Sequence, residues 1–310
     1  MSKIPIWIDT DTGVDDLFAI LCALQLENAE VVGVSSVMGN VPHHYTFPNA
    51  RNTLAFAGRE DIPVYPGAEV PMVVRHVSAE HIHGPQGLGD AVLEESSAPK
   101  ETKLAWDAMY EAAKEHEGFE IVALGPLTNV ATMIVAHPDS VNYIKRIVIM
   151  GGAAQGGNIT ASAEFNIYDD PHAAEAVMKS GIPVVMFGLD ITMTTYLSHE
   201  DLEEINAMGK VGKLFEETMV YAIKDNSERI GEKAVAIHDV CPIIYYDYPD
   251  IFEGVPCGIR VETQGKFTFG KTVVDIWSDA KFPEKNGFVI LDGNREELAR
   301  VFKEMLKSYQ

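Results

Sequence analysis

Five short apolar runs restrict the fold of this sequence more than any other feature. They cover residues 4–9, 30–37, 119–124, 146–150 and 183–187, and glycine or polar residues lie at or just beyond the carboxyl end of each. Runs of this length and punctuation are typical of strands buried on both faces of a parallel sheet. Segments with helical periodicity lie between and after them, at residues 15–26, 47–57, 101–116, 128–135, 171–179, 199–208 and 211–225. The alternation predicts an α/β fold with helices covering both faces of a mostly parallel sheet.

The C-terminal part follows a different pattern. Residues 258–277 contain two β-rich runs around Gly265, which predicts a late β-hairpin. A strand at 287–291 and a helix at 294–309 close the chain. Asn294 is the expected N-cap of that helix because Glu297 follows three residues later.

Composition excludes several classes of protein. The net charge is -22, from 24 basic and 46 acidic residues, so contacts with nucleic-acid phosphates or an anionic membrane surface are not expected. No apolar run approaches the roughly 20 residues of a membrane span. Three cysteines without a CxxC pair give neither a disulfide framework nor a zinc site. Together with an N-terminus that lacks a signal-peptide pattern, they predict a cytoplasmic protein.

An acidic turn follows the first predicted strand. The sequence "DTDTGVDD" places Asp9, Asp11, Asp15 and Asp16 within eight residues, and residues 7–27 contain no Lys or Arg. A helix N-terminus favours negative charge, which explains one or two of these carboxylates but not four. Unpaired carboxylates at this spacing repel each other, and a bound divalent cation would remove the repulsion. Because the local donors are all oxygens, Ca²⁺ or Mg²⁺ is favoured over Zn²⁺.

Other predicted strands also end in polar or glycine residues. The segments concerned are "SSVMGN", "VALGPLTN", "VIMGGA" and "FGLD". In an open α/β sheet, ligands bind at the carboxyl ends of the strands. We therefore expect chemistry from five segments to meet at one edge of the sheet.

Two enzyme families have an acidic turn after their first strand. Haloacid-dehalogenase-like phosphohydrolases carry paired aspartates that Asp9 and Asp11 would match, but Gly13 stands where their Thr or Val belongs. The sequence "DTDTGVDD" instead resembles the DxDxxxDD fingerprint of inosine-uridine-preferring nucleoside hydrolases at every fixed position. Further segments resemble that family in the same order along the chain: "SVMGN", "HIHGPQGLGD", "ALGPLTN", "VIMGGA", "GNITASAEFNIYDDP" and "IHDV".

This resemblance implies one Rossmann-like α/β domain over residues 1–310 that hydrolyses ribonucleosides to base and ribose with one Ca²⁺. The implied metal ligands are three carboxylates and a backbone carbonyl: Asp11, Asp16, Asp239 and Leu124. Asp11 would also be the general base. The implied ribose ligands are Asp15, Asn40, Asn158, Glu164 and Asn166. Met150 and Phe165 would line the sugar pocket, and His83 and His238 would face the base.

The implied roles agree with the chemistry of the reaction. Cleavage of an N-glycosidic bond passes through an oxocarbenium-like state, so an activated water, a firmly held sugar and a protonated leaving group all help. The resemblance implies that His238 gives a proton to the departing base, a role known in members that accept pyrimidine nucleosides, alone or with inosine. Asn158, Glu164 and Asn166 can also be read as ordinary turn residues.

The base preference is less constrained. Pyrimidine-preferring relatives often carry Gln and Tyr facing the base, whereas Asn226 and Ile230 occupy the corresponding positions here, with Arg229 between them. Purine-specific members typically use tryptophan, and none of the three tryptophans lies in a matched pocket motif. Eight other histidines have polar contexts, and we expect most to be solvated: His43, His44, His76, His81, His116, His137, His172 and His199.

Two alternatives to the hydrolase remain open. A Mg²⁺-dependent phosphohydrolase would use Asp9 as its nucleophile and would need a Lys or Arg near the site, which the matched segments lack. A non-catalytic protein that binds calcium or ribose would be expected to lack a working residue, yet Asp11, Asn166 and His238 are all present. The resemblance further implies a homo-oligomer, either a dimer or a tetramer.

Overall fold

The computed structural model describes residues 3–230, 233–277 and 285–310, without the side chains of residues 229 and 230. Within these ranges the chain forms strands β1 Ile4–Thr10, β2 Ala29–Ser36, β3 Val64–Tyr65, β4 Glu120–Ala123, β5 Arg146–Met150, β6 Val184–Phe187, β7 Tyr196–Leu197, β8 Val235–Ala236, β9 Phe252–Val261, β10 Thr272–Asp275 and β11 Gly287–Gly293. All five predicted apolar runs form strands.

The helices of the described ranges include every one that the sequence predicted, together with four short ones. They are α1 Val14–Ala23, α2 His43–Phe56, α3 Glu80–His83, α4 Ala105–Glu115, α5 Thr128–Ala136, α6 Phe165–Asp169, α7 Pro171–Met178, α8 Leu189–Thr192, α9 His199–Asn206, α10 Gly209–Ile230, α11 Val240–Ile244 and α12 Arg295–Leu306.

Nine strands form one mixed sheet in the order β10-β9-β11-β6-β5-β4-β1-β2-β3. The seven strands from β11 to β3 run parallel, whereas β9 is antiparallel to β11 and β10 is antiparallel to β9. The predictions of a mostly parallel sheet and a late hairpin are therefore confirmed. The strands β7 and β8 form a separate antiparallel pair that was not predicted.

Both faces of the sheet are covered, as the apolar strands predicted. Alternate residues of β1 point to opposite sides, so Ile6 and Ile8 belong to one buried cluster and Trp7 to another. Helices α1, α2, α9, α10, α11 and α12 contribute to the first cluster. Helices α4, α5 and α7 contribute to the second. Burial on both faces explains why these strands are apolar throughout.

Helix boundaries differ from the sequence prediction in identifiable places. Helix α2 begins at His43 and continues through Pro48, although a proline is expected near a helix start. Helix α10 continues to Ile230 instead of ending at residue 225. The predicted cap of α12 is confirmed, since the Asn294 side chain accepts a hydrogen bond from the Glu297 amide at 3.1 Å.

Candidate active site

The acidic turn joins the end of β1 to the start of α1, as predicted. Asp16 lies in the first turn of α1, and its carboxylate accepts hydrogen bonds from the amide of Gly13 at 2.9 Å and from the Thr10 hydroxyl. This carboxylate therefore closes the turn that brings the acidic residues together. Burial and the nearby Asp15 charge raise the pKa of Asp16 to about 6.

The Asp11 carboxylate is held in a tight, buried space. Its Oδ2 accepts a hydrogen bond from the amide of Asn40 at 2.8 Å, whereas its Oδ1 has no hydrogen-bond partner. A Cβ at Gly39 would lie 2.0 Å from Oδ2, and one at Gly125 would lie 2.6 Å from Oδ1. The two glycines therefore leave room for this carboxylate and for nothing larger. Burial, followed by the charge of Asp16, raises the pKa of Asp11 well above its usual range.

Three carboxylates are arranged so that they could hold a metal ion. One oxygen each from Asp15, Asp16 and Asp239 lies within 4.8 Å of the others, and all three residues are buried. Burial and the charges of Asp15, Asp16 and Asp11 raise the pKa of Asp239 well above its usual range. Among the described pocket-lining residues there is no Lys or Arg to neutralise this charge. A hard divalent cation bound by oxygen ligands fits the donor set.

The trio differs from the predicted ligand set in one carboxylate. The sequence assigned Asp11 to the metal and Asp15 to the ribose, whereas Asp15 belongs to the close trio and Asp11 does not. Asp11 still lies near enough to contribute to the raised pKa of Asp239. The carbonyl oxygen of Leu124, also predicted as a ligand, accepts a hydrogen bond from the Asn166 side chain at 2.7 Å.

A cavity of about 230 Å³ lies above the acidic turn. All the predicted site residues line it except Asp11 and Asp16, which are buried beneath. The predicted residues along its wall are Asp15, Asn40, His83, Leu124, Met150, Asn158, Glu164, Phe165, Asn166, Asn226, His238 and Asp239. Residues far apart in the chain thus converge at the carboxyl ends of the strands, as the rule for open α/β sheets predicts.

One side of the cavity is built around the start of α6. Glu164 caps this helix and accepts hydrogen bonds from the amides of Asn166 at 2.9 Å and Gly152 at 2.8 Å. Burial raises the pKa of Glu164 to about 7. The Asn158 side chain accepts from the amide of Phe165 at 2.9 Å. Asn158 and Glu164 therefore shape this loop as well as lining the cavity.

Two histidines with lowered pKa values also line the cavity. His83 is buried, its Nδ1 accepts a hydrogen bond from the amide of Val14 at 3.1 Å, and burial lowers its pKa to about 4. The Nδ1 of His238 shares a hydrogen bond of 2.7 Å with the Thr192 hydroxyl, and burial lowers the pKa of His238. Nearby, the Asn226 amide donates to the carbonyl of Ala234 at 2.5 Å.

Sequence reasoning missed part of the cavity wall. The residues that it did not name are mostly apolar: Val14, Ala79, His81, Ile82, Ile159, Met193, Ala222, Asp225, Val235 and Ala236. His81 belongs to the group of histidines of which most were expected to be solvated; it is exposed, and it also lines the cavity. His43 was expected to be solvated too, yet it is buried and its Nε2 hydrogen-bonds the Ser36 hydroxyl at 2.8 Å. The "HIHG" motif could have indicated His81, but apolar wall residues carry no comparable signal.

Asp9 does not occupy the position of a phosphohydrolase nucleophile. Its side chain is buried away from the cavity, where Oδ1 accepts hydrogen bonds from the Ser35 hydroxyl and from the Asn129 amide at 2.7 Å. Burial raises the pKa of Asp9 to about 6. The carboxylate instead joins β1 to β2 and α5 beneath the acidic turn.

Comparison with known proteins decides the family. The model of the inosine-uridine preferring nucleoside hydrolases matches residues 6–300. The chain belongs to this family. It is 39% identical over 309 residues to the pyrimidine-specific ribonucleoside hydrolase RihA of Citrobacter koseri and 38% identical to that of Shigella flexneri, and each match covers 99% of both chains.

Solved structures of the nucleoside hydrolase family have the same fold. A plant nucleoside hydrolase superposes with a TM-score of 0.92 at 30% identity, covering 99% of this chain and 100% of the other. The purine-preferring ribonucleoside hydrolase from Gardnerella vaginalis gives a TM-score of 0.91 at 28% identity and covers 98% of each chain. The chain is thus a ribonucleoside hydrolase with the α/β fold that the sequence predicted. No described helix has the length and apolar character needed to span a membrane.

Proposed function

We propose that this nucleoside hydrolase cleaves the N-glycosidic bond of pyrimidine ribonucleosides, uridine above all, to free base and ribose. The observation that carries the proposal is a buried carboxylate cluster beside a cavity that His83 and His238 also line. The preference for pyrimidines is supported by relatives of that named specificity at 39% identity. Because a purine-preferring enzyme shares the fold, inosine is the second substrate to test.

The metal proposed for this site is Ca²⁺. Asp11, Asp16, Asp239 and the carbonyl of Leu124 would hold it, and the structure adds Asp15 as a neighbouring carboxylate. When bound, the cation would neutralise the buried carboxylates and lower the pKa of a water molecule in the site. The unpartnered Oδ1 of Asp11 and the mutual repulsion of the trio are the features that a cation would satisfy.

Asp11 is proposed as the general base. Its Oδ2 accepts a hydrogen bond from the amide of Asn40, which holds the carboxylate in one orientation from which it could accept a proton from the attacking water. Asp15, Asn40, Asn158, Glu164 and Asn166 would hold the ribose hydroxyls, with Met150 and Phe165 beside the ring. A firmly held sugar lowers the entropic cost of reaching the transition state.

His238 is proposed as the proton donor to the leaving base. Its Nδ1 is engaged with the Thr192 hydroxyl, which fixes the ring and leaves the other nitrogen for the cavity. His83 and Asn226 would complete the wall that faces the base. Burial lowers the pKa of both histidines, so His238 would have to take up a proton at its other nitrogen before it could pass one to the leaving base, and the negative charge of Asp15 favours that protonated form.

Ribose release tests this proposal directly. Uridine, cytidine, inosine, adenosine and guanosine are incubated with the protein, with and without prolonged exposure to a calcium chelator, and reducing sugar is measured. Release from uridine that chelation abolishes and added Ca²⁺ restores is the expected result. Protein that binds calcium but releases ribose from none of them would instead be a binding protein. An Asp11→Asn control should lose several orders of magnitude in turnover while remaining folded.

A second comparison tests the proton donor. His238→Ala should reduce hydrolysis of uridine far more than hydrolysis of a nitrophenyl riboside, because the nitrophenolate leaves without protonation. Equal losses for the two substrates would exclude the proposed role of His238.

Three properties of the whole chain complete the proposal. We propose one domain over residues 1–310, supported by a nine-stranded sheet whose strands come from residues 4 to 293. We also propose a homo-oligomer, to be measured by size-exclusion chromatography with light scattering. Cytoplasmic location is supported by three cysteines that are all free and buried, and cell fractionation would test it.

A further inference from the structure

The segment of residues 72–78 leads directly into one wall of the cavity. It has no regular secondary structure, and each of its side chains is exposed or only partly buried. Ala79 and α3 follow immediately and supply His81, Ile82 and His83 to the cavity. Because this segment buries no side chain in the core, polar contacts hold it in place. The base-facing wall that follows is also held by the bond from the Ala79 amide to the Asn40 carbonyl at 2.9 Å and by packing of α3 on α10.

Two consecutive carboxylates hold the 72–78 segment. Asp169 accepts hydrogen bonds from the amide of Val77 at 2.8 Å and from Nδ1 of His76 at 2.9 Å. Asp170 accepts from the amide of Met72 at 2.8 Å. Both aspartates are fully buried. They belong to the motif "NIYDDP", whose acidic pair has no part in the proposed reaction.

The two carboxylates differ in their other contacts. Asp170 also accepts from the Thr128 hydroxyl and caps α7 through the amide of Ala173, so it supports the fold widely. Asp169 is the last residue of α6, the short helix that begins with Phe165 and Asn166. Asp169 therefore joins the helix that carries the sugar-facing residues to the segment that carries the base-facing residues.

We propose that Asp169 is a positioning residue for substrate binding. Its carboxylate fixes the distance between the α6 wall and the α3 wall, and so sets how well a nucleoside contacts both at once. This inference rests on the proposed function, because the α6 wall is taken to bind ribose and the α3 wall the base. Asp169 itself does not line the cavity and need not touch the substrate.

The variants distinguish a change in the position of α3 from a general loss of folding. Asp169→Ala removes both contacts, whereas Asp169→Asn keeps an oxygen that can accept from the amide of Val77. His76→Ala removes one contact at a partly exposed side chain and serves if Asp169→Ala fails to fold. Asp107→Ala is the matched control, since Asp107 Oδ1 accepts from His137 Nε2 at 2.8 Å at a site that does not line the cavity.

Two measurements are made on each full-length variant. Steady-state kinetics with uridine should show a KM about tenfold higher in Asp169→Ala, the change that about 1.4 kcal/mol of binding produces, with kcat within about threefold of wild type. Asp169→Asn should recover most of this loss, and Asp107→Ala should show none. His76→Ala should raise KM by about threefold, since one contact of two is lost.

Amide hydrogen exchange gives a readout that needs no activity. Asp169→Ala should speed exchange at Val77 and through α3 by about tenfold or more, while amides of the central strands exchange as in wild type. A wild-type KM, wild-type exchange through α3 or an equal acceleration throughout the chain would each overturn the proposal. If wild type hydrolyses no nucleoside, the proposed function fails, whereas local acceleration through α3 would still show that Asp169 positions α3.

Discussion

Gly125→Ala tests how closely the function depends on the position of the Asp11 carboxylate. A Cβ at this position would lie 2.6 Å from Asp11 Oδ1 and 2.8 Å from its Cγ, where ordinary contacts begin at 3.4 Å. The φ angle of Gly125 is not among the positive values of the chain, so alanine causes no backbone strain by its conformation. The three atoms nearest to the new Cβ all belong to Asp11, so the substitution acts first on that side chain.

The magnitude follows from these distances. The distance between the new Cβ and Asp11 Oδ1 has to increase from 2.6 Å to 3.4 Å, so the carboxylate must move by roughly 0.8 Å. That movement disturbs the hydrogen bond from the amide of Asn40, and loss of a hydrogen bond to a charged group costs about 1.5–3 kcal/mol. We expect the thermal midpoint to fall by about 4 °C. Because a misplacement of about 1 Å can reduce catalysis by about 10²-fold, kcat/KM should fall roughly a hundredfold.

The assay pairs ribose release from uridine with thermal unfolding. Gly118→Ala is the control, because its Cβ would meet nothing within 4 Å although its φ is 76°. Gly118→Ala should therefore lose about 1 kcal/mol of stability to backbone strain and keep its kcat/KM. If Gly125→Ala also kept wild-type kcat/KM, the position of the Asp11 carboxylate would not govern the reaction, and its assignment as the base would be wrong.

Three further predictions concern stability and the proposed proton donor. Glu120→Gln should lower the free energy of unfolding in urea by about 1.5–3 kcal/mol, because it removes the buried negative charge that pairs with the partly buried Arg146, whereas Tyr246→Phe, which removes a single hydrogen bond to that carboxylate, should cost only about 1 kcal/mol; equal costs would contradict this. Burial alone would raise the pKa of Asp201, but hydrogen bonds from basic side chains and a serine lower it to about 2. Asp201→Asn should therefore cost about 1 kcal/mol at pH 6, and the difference from wild type should disappear as the pH falls from about 4 through 2; a constant difference would contradict the shift. Thr192→Val should reduce hydrolysis of uridine more than hydrolysis of a nitrophenyl riboside, whereas the control Thr192→Ser keeps the hydroxyl. Unchanged uridine turnover in Thr192→Val would mean that this hydroxyl does not orient His238.

The sequence predicts those strands and helices that are long enough to show a hydrophobic pattern. Strands buried on both faces read as apolar runs, and the amphipathic helices between them are long enough to show their period. The pair β7 and β8 and the four helices of four or five residues are too short for that signal. Strand order is also hidden, because the insertion of β11 between β6 and β9 depends on contacts between residues distant in the chain.

The acidic turn shows why the role of each aspartate is harder to predict than its position in the fold. All four carboxylates are buried where the sequence places them, but they meet different partners. Asp9 turns toward Ser35 and Asn129, and Asp16 closes its own turn. Asp15 joins the close carboxylate trio although the sequence assigned it to the sugar. The spacing determines that the charges meet, whereas the neighbouring strands and helices determine which partner each one finds.

Base preference is hidden from the sequence for a physical reason. Ribose and a cation need particular oxygen and amide groups, so the residues that could serve them stand out as Asp, Asn and Glu at strand ends. Pockets for small molecules are lined mostly by apolar side chains, and the apolar part of this cavity wall includes Ile82, Met193, Ala222 and Val235, which come from four separate segments. Each looks like an ordinary core residue in sequence. Their common surface exists only once α3, α8, α10 and β8 are in place, so substitutions that move the α3 wall should alter discrimination between bases more than they alter the chemistry at Asp11.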